Sequence, residues 1–158
     1  KKIETSWVTY FFRGICYQEL GDWDRARNDY LKALDISPGQ PEVLNYLGYS
    51  LIERKEKLDQ ALTMIEKAIE GDPESGYIVD SLAWGLFKFG RYEEALRPMK
   101  KAFDLLPFDP IINDHLGDIL WNNGDKNGAK LYWKRSLSFN PKEEEISKIR
   151  KKIKYGYD

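Results

Sequence analysis

The chain has 158 residues, 42% of them apolar and 32% charged, and a formal net charge of −1. That length supports one domain with a sizeable core, while the near-zero charge gives no electrostatic reason to expect nucleic acid. No stretch reaches the ~18 uninterrupted apolar residues of a membrane-spanning helix, so no membrane insertion is expected, and the single cysteine excludes an internal disulfide.

The elements follow one another at short intervals. The chain opens on Lys1 and carries no signal-peptide pattern, which leads us to expect a fragment or a processed chain. The first predicted helix covers 7–20. Trp7, Val8, Tyr10, Phe11 and Phe12 make it apolar nearly all round, and such a helix expects cover on more than one side. More repeats before residue 1, a partner, or self-association through this helix would each supply that cover. Helices are then expected at 23–36, 41–54, 58–70, 76–89, 92–105, 110–122 and 126–139. Gly21, Gly90 and Gly124 stand where a helix must stop and the backbone needs positive φ. Pro98 falls inside the 92–105 helix and should bend it. A last helix is expected over 142–154. Ile146, Ile149 and Ile153 give it one apolar stripe. Its acidic start at Glu143 to Glu145 and its basic end from Lys148 to Lys154 suit the helix dipole.

Three sets of markers share one period. Gly14, Gly48, Ala83 and Gly117 stand 34, 35 and 34 residues apart. Ala26, Ala61, Ala95 and Ala129 stand 35, 34 and 34 apart, as do Pro38, Pro73, Pro107 and Pro141. The extra residue lies in the charged turn around Glu53 to Leu58. Each period therefore holds two amphipathic helices. The small residues let the two approach closely, and the proline ends the second. Ala33, Ala68, Ala102 and Ser136 would admit the next hairpin.

These residues resemble the tetratricopeptide repeat. The first unit offers Tyr10, Gly14, Tyr17, Ala26, Tyr30, Ala33 and Pro38 where that family favours aromatic, Gly, Tyr, Ala, aromatic, Ala and Pro. The resemblance implies an all-α fold: a right-handed α-solenoid of four helical hairpins plus a C-terminal capping helix, in a single domain spanning 1–158. The repeats would cover about 7–40, 41–75, 76–109 and 110–141, with the cap at about 142–154, as part of a longer solenoid. It also implies a protein-binding adaptor or scaffold. The first helices would line a concave groove with Phe11 and Ile15, then Tyr49 and Ile52, then Tyr77, Asp80, Trp84 and Phe87, then Asp114, Asp118 and Trp121. That surface is aromatic, and aromatic side chains dominate interface hot spots. Its charges are acidic, so the expected partner is a protein or peptide segment, apolar and carrying Lys or Arg. Some family members hold a C-terminal carboxylate with cationic groove residues. Here the matching places are Phe11, Ile15, Tyr46, Tyr77 and Ser81, none of which is cationic, so that ligand is not expected.

The run Asp80 to Arg97, the segment His115 to Trp121 and the ending KIRKKI are similar to the C-terminal part of long repeat proteins of Gram-negative bacteria. Many of those are lipoproteins on the periplasmic face of the outer membrane, and some are adaptors for envelope proteases. That similarity implies the bacterial periplasm, with the cytoplasm as the alternative.

No catalytic motif accompanies the repeat. His115 is the single histidine, and its neighbour Asp114 points about 100° away on a helix. No P-loop, Gly-x-Ser-x-Gly or dinucleotide fingerprint occurs. Cys16 is expected as a buried structural thiol. No enzyme activity, cofactor or metal is expected. Two other roles remain open: a self-assembling structural module, and an accessory domain of a larger enzyme.

Overall fold

In the computed structural model, which describes residues 6–157, the described chain forms nine helices and no strand. They are α1 (Trp7–Glu19), α2 (Trp23–Ile36), α3 (Pro41–Glu53), α4 (Leu58–Gly71), α5 (Gly76–Lys88), α6 (Tyr92–Leu105), α7 (Pro110–Asn122), α8 (Lys126–Ser138) and α9 (Glu143–Tyr155). The first eight lie within a residue of their expected bounds. The chain divides into two compact units, residues 1–73 and 74–158.

Each pair of helices forms an antiparallel hairpin closed by the same turn. At Gly21, Gly90 and Gly124 the backbone takes φ of +77°, +76° and +92°. The amide of each glycine donates to the carbonyl three residues back, and the next amide donates to the carbonyl five residues back. This is the glycine stop that leaves few helix carbonyls unpaired. The fourth such turn has no glycine. Lys55 takes φ +56° and makes the same bonds to Ile52, while Glu56 donates to Leu51. A side chain in that left-handed region costs about 1 kcal/mol. Lys55→Gly should therefore raise stability by about 1 kcal/mol in urea unfolding, and a destabilised variant would show that the Lys55 side chain makes compensating contacts.

In the first unit, a Cβ added to Gly14 would stand 2.7 Å from Cε1 of Tyr30. One added to Gly48 would stand 2.9 Å from the Ala61 carbonyl oxygen. The small residues of the period thus set the distance between helices. Gln18 joins three helices: its Oε1 accepts from Tyr30 Oη at 3.0 Å and from Ser50 Oγ at 2.8 Å. Arg13 donates twice to Asp29, at 2.6 and 2.8 Å, and these bonds hold the buried Asp29 carboxyl below its ordinary pKa. On α1, Phe11 is buried against the Tyr46 ring, whereas Phe12 is 59% exposed. Cys16 is exposed, not buried. It lies on the outer side of α1, two residues beyond the inward-facing Gly14.

In the second unit, α5/α6 and α7/α8 are the hairpins, and α9 lies against α8. Ala83, Ala95, Met99, Ala102, Ala129 and Trp133 have no accessible surface. Gly117 leaves room for the Trp133 ring, which a Cβ would overlap. Ser136 stands where the earlier units have alanine, and its hydroxyl donates to the Pro110 carbonyl at 2.7 Å, so its burial leaves no polar group unpaired. Helix α6 runs unbroken through Pro98.

Candidate partner-binding face

In the second unit the first helix of each hairpin carries a stripe of acidic and aromatic residues. On α5, Asp80, Trp84 and Phe87 recur at i, i+4 and i+7 and share one stripe. On α7, Asp114, Asp118 and Trp121 do the same. On α9, Lys148, Lys152 and Tyr155 occupy the equivalent places, 34 residues further on. The period thus sets side by side residues that are far apart in sequence.

The resulting contacts form a buried ionic network. His115 Nδ1 lies 2.9 and 3.1 Å from the two Asp80 oxygens, with both side chains about nine-tenths buried. Burial opposes the imidazolium, but Asp80 outweighs it, helped by Asp114 and Asp118, and the His115 pKa is raised. When protonated, the ring donates from Nδ1 to the Asp80 carboxylate. Trp84 lies flat on the His115 ring, with centroids 3.9 Å apart and planes 9° apart. Phe87 extends the stack at 4.9 Å. From α9, Lys152 Nζ donates to Asp114 at 2.6 Å and to Asp118 at 2.7 Å. Asp118 also accepts from Trp133 Nε1 at 2.8 Å. Burial still pushes the Asp118 carboxyl up to about 6, against the pull of Lys152.

Each residue expected at the groove has a definite place. Asp80, Trp84, Phe87 and Asp118 are buried within the network. Asp114 and Trp121 are half-buried, and Tyr77 is 58% exposed. In the first unit Phe11 and Ile52 are buried, while Ile15 and Tyr49 are half-buried. Tyr49 lines a cleft of about 160 Å³ with Gln18, Trp23, Glu53 and Arg54. The Arg54 guanidinium lies 4.9 Å over the Trp23 ring.

Three members of the network escaped sequence reasoning. His115 was compared only with its neighbour, whereas its partner Asp80 lies 35 residues back, one repeat away. Lys152 was read as part of the basic end that suits the α9 dipole, and Trp133 was not placed at the groove. Spacing by one period is the signal that could have found the first two. Among the described residues, no group of His, Cys, Asp and Glu is arranged to hold a metal ion. No described helix is long and apolar enough to cross a membrane.

This architecture recurs in known proteins. The chain is similar to MamA (residues 41 to the end) from Desulfovibrio magneticus RS-1, with a TM-score of 0.73 and 22% identity over 86% of this chain and 76% of that one. It is also similar to PilF of Pseudomonas aeruginosa, with a TM-score of 0.77 and 17% identity over 96% of this chain and 73% of that one. At such identities the likeness establishes a shared fold. The sequence profile of the tetratricopeptide repeat matches residues 1–140, and that fold supports a protein–protein interaction or scaffold role. An all-α chain that satisfies this repeat from its first residue to residue 140 belongs to the tetratricopeptide repeat family.

Proposed function

We propose that this protein is an adaptor or scaffold that holds a segment of a partner protein against the first-helix face of its second unit. The observation that carries this reading is the accessible edge of the α5 and α7 face, where Asp114 and Trp121 stay half-buried while Asp80, Asp118, Trp84 and Phe87 are closed off in the network beneath. Tyr77 and Ile111 continue that face as exposed side chains, 58% and 49% accessible. Its rings already accept cations from the chain itself. Lys88 Nζ lies 4.7 Å from the Trp84 ring and Lys126 Nζ 3.9 Å from the Trp121 ring, a contact favourable by roughly 0.5–1 kcal/mol at exposed sites. An apolar segment carrying Lys or Arg suits such a surface.

The test is capture from lysate with this chain as bait, beside a Tyr77→Ala/Ile111→Ala variant of checked helicity. Both side chains are exposed, so the fold should survive their loss. A partner retained by the unchanged chain and lost by the variant is the expected result, since interface hot spots are worth about 2 kcal/mol or more each. The same proteins from both baits, or none from either, would sink the proposal.

Exposed Phe12 and Val8 on α1 favour a second reading, self-association. It requires the mass measured by light scattering to rise with concentration and to stay monomeric in a Phe12→Ser variant.

A further inference from the structure

Beyond α9 the chain turns back onto the face just described. Gly156 takes φ +94° and ψ −178°, a conformation open essentially to glycine alone. The residue is buried, and a Cβ there would run into the Trp121 ring. The turn delivers Tyr157 to α5, where its ring meets Phe87 edge-on at 5.5 Å. Lys152 Nζ lies 5.8 Å from the same ring. Tyr157 also packs against the cluster of Ala129, Trp133 and Ile149. A backbone without a side chain thus lies on Trp121, and the aromatic residue after it reaches Phe87.

We infer that Gly156 and Tyr157 occupy in cis the aromatic end of the partner-binding face, and that a partner segment displaces them with an aromatic residue placed directly after a glycine. The inference rests on the adaptor reading. Its physical basis is the fit of the occupant. At the backbone position Gly156 takes, a Cβ would overlap the Trp121 ring, and Phe87 offers its ring to an aromatic neighbour, an arrangement aromatic pairs favour. A segment without this pair would not replace the two contacts that the turn makes, the glycine backbone on Trp121 and the edge-on ring on Phe87.

The probe is a fluorescent peptide with the sequence of residues 151–158, KKIKYGYD. Gly156→Ala drives the turn off Trp121, and Tyr157→Ala removes its anchor, while neither alters the face. Both variant chains should bind the probe at least tenfold more tightly than the unchanged chain. A probe with its Gly-Tyr replaced by Ala-Ala should not bind any of them. Equal binding by all three chains, no binding by any, or indifference to the probe's Gly-Tyr overturns the inference. The lysate capture separates this failure from failure of the adaptor reading. A partner retained equally by the unchanged and Gly156→Ala chains leaves the adaptor standing and removes the competition.

Discussion

Trp84→Ala is expected to lower the stability of the second unit by about 3–4 kcal/mol, the range for emptying a buried tryptophan site. Trp84 is 7% exposed and sits between two rings, His115 at 3.9 Å and Phe87 at 4.9 Å. Its removal opens a cavity on α5 and admits water to the Asp80–His115 pair, whose attraction depends on burial. Urea unfolding followed by circular dichroism reads the loss. Trp84→Phe keeps an aromatic ring on His115 and should recover more than half of it. A Trp84→Ala chain that loses less than about 1 kcal/mol would mean that the stack is surface decoration and that the tryptophan is available to a partner.

Lys152→Ala should cost about 3 kcal/mol at pH 8, since breaking a buried pair leaves charge without compensation. Asp114 and Asp118 would keep their negative charges, and Asp118 would retain only the Trp133 N–H. By contrast, the exposed pairs Arg91–Glu94 and Lys148–Glu145 contribute little, because water and salt screen them. The cost at position 152 should shrink on acidification. With Lys152 present, Asp118 already titrates at about 6, above its ordinary 3.8; without the ammonium its folded pKa rises further. A raised folded pKa contributes stability that is complete below 3.8 and is lost as pH rises through the folded value. The variant is therefore weakest at pH 8 and recovers toward pH 5. His115, also raised, adds in the same direction as it takes up its proton beside Asp80. Asp29, whose pKa is lowered, loses its contribution only below the ordinary carboxyl range. Thermal melts at pH 8 and pH 5 measure both effects, and an equal deficit at the two values would contradict the role given to Asp118. Lys152→Met, which keeps the aliphatic stem, should show the same pH dependence and so separates lost charge from lost packing.

The two variants mark where sequence reasoning reaches. The hairpins were legible because their signals are local. Glycine admits the left-handed turn at 21, 90 and 124, proline ends the second helix, and small residues recur once per period. The aromatic and acidic residues proposed for the groove were legible as a list, through their spacing on first helices. Their burial was not. Whether Trp84 faces a partner or His115 depends on which residue of the next repeat meets it, and that is a matter of register. Lys55 fell inside the expected charged turn, but its left-handed backbone was not legible: nothing in its type announces positive φ, and the hairpin imposes it. Cys16 was expected inside from its place in the middle of a helix beside Ile15 and Tyr17, but it stands two positions, about 200°, from the buried Gly14 and is exposed.

The sequence by itself determined the all-α class, the eight hairpin helices and their turns, because periodicity, stop residues and small contact residues act within a few positions of themselves. Only the tertiary structure decided which charges meet. The pairing of Asp80 with His115, the hold of Lys152 on Asp114 and Asp118, and the return of Tyr157 to Phe87 join residues between 34 and 70 positions apart. Such contacts are set by how one helix stacks on the next and by one glycine turn after α9. In a buried setting those few ångströms decide whether a carboxylate is partnered or stranded.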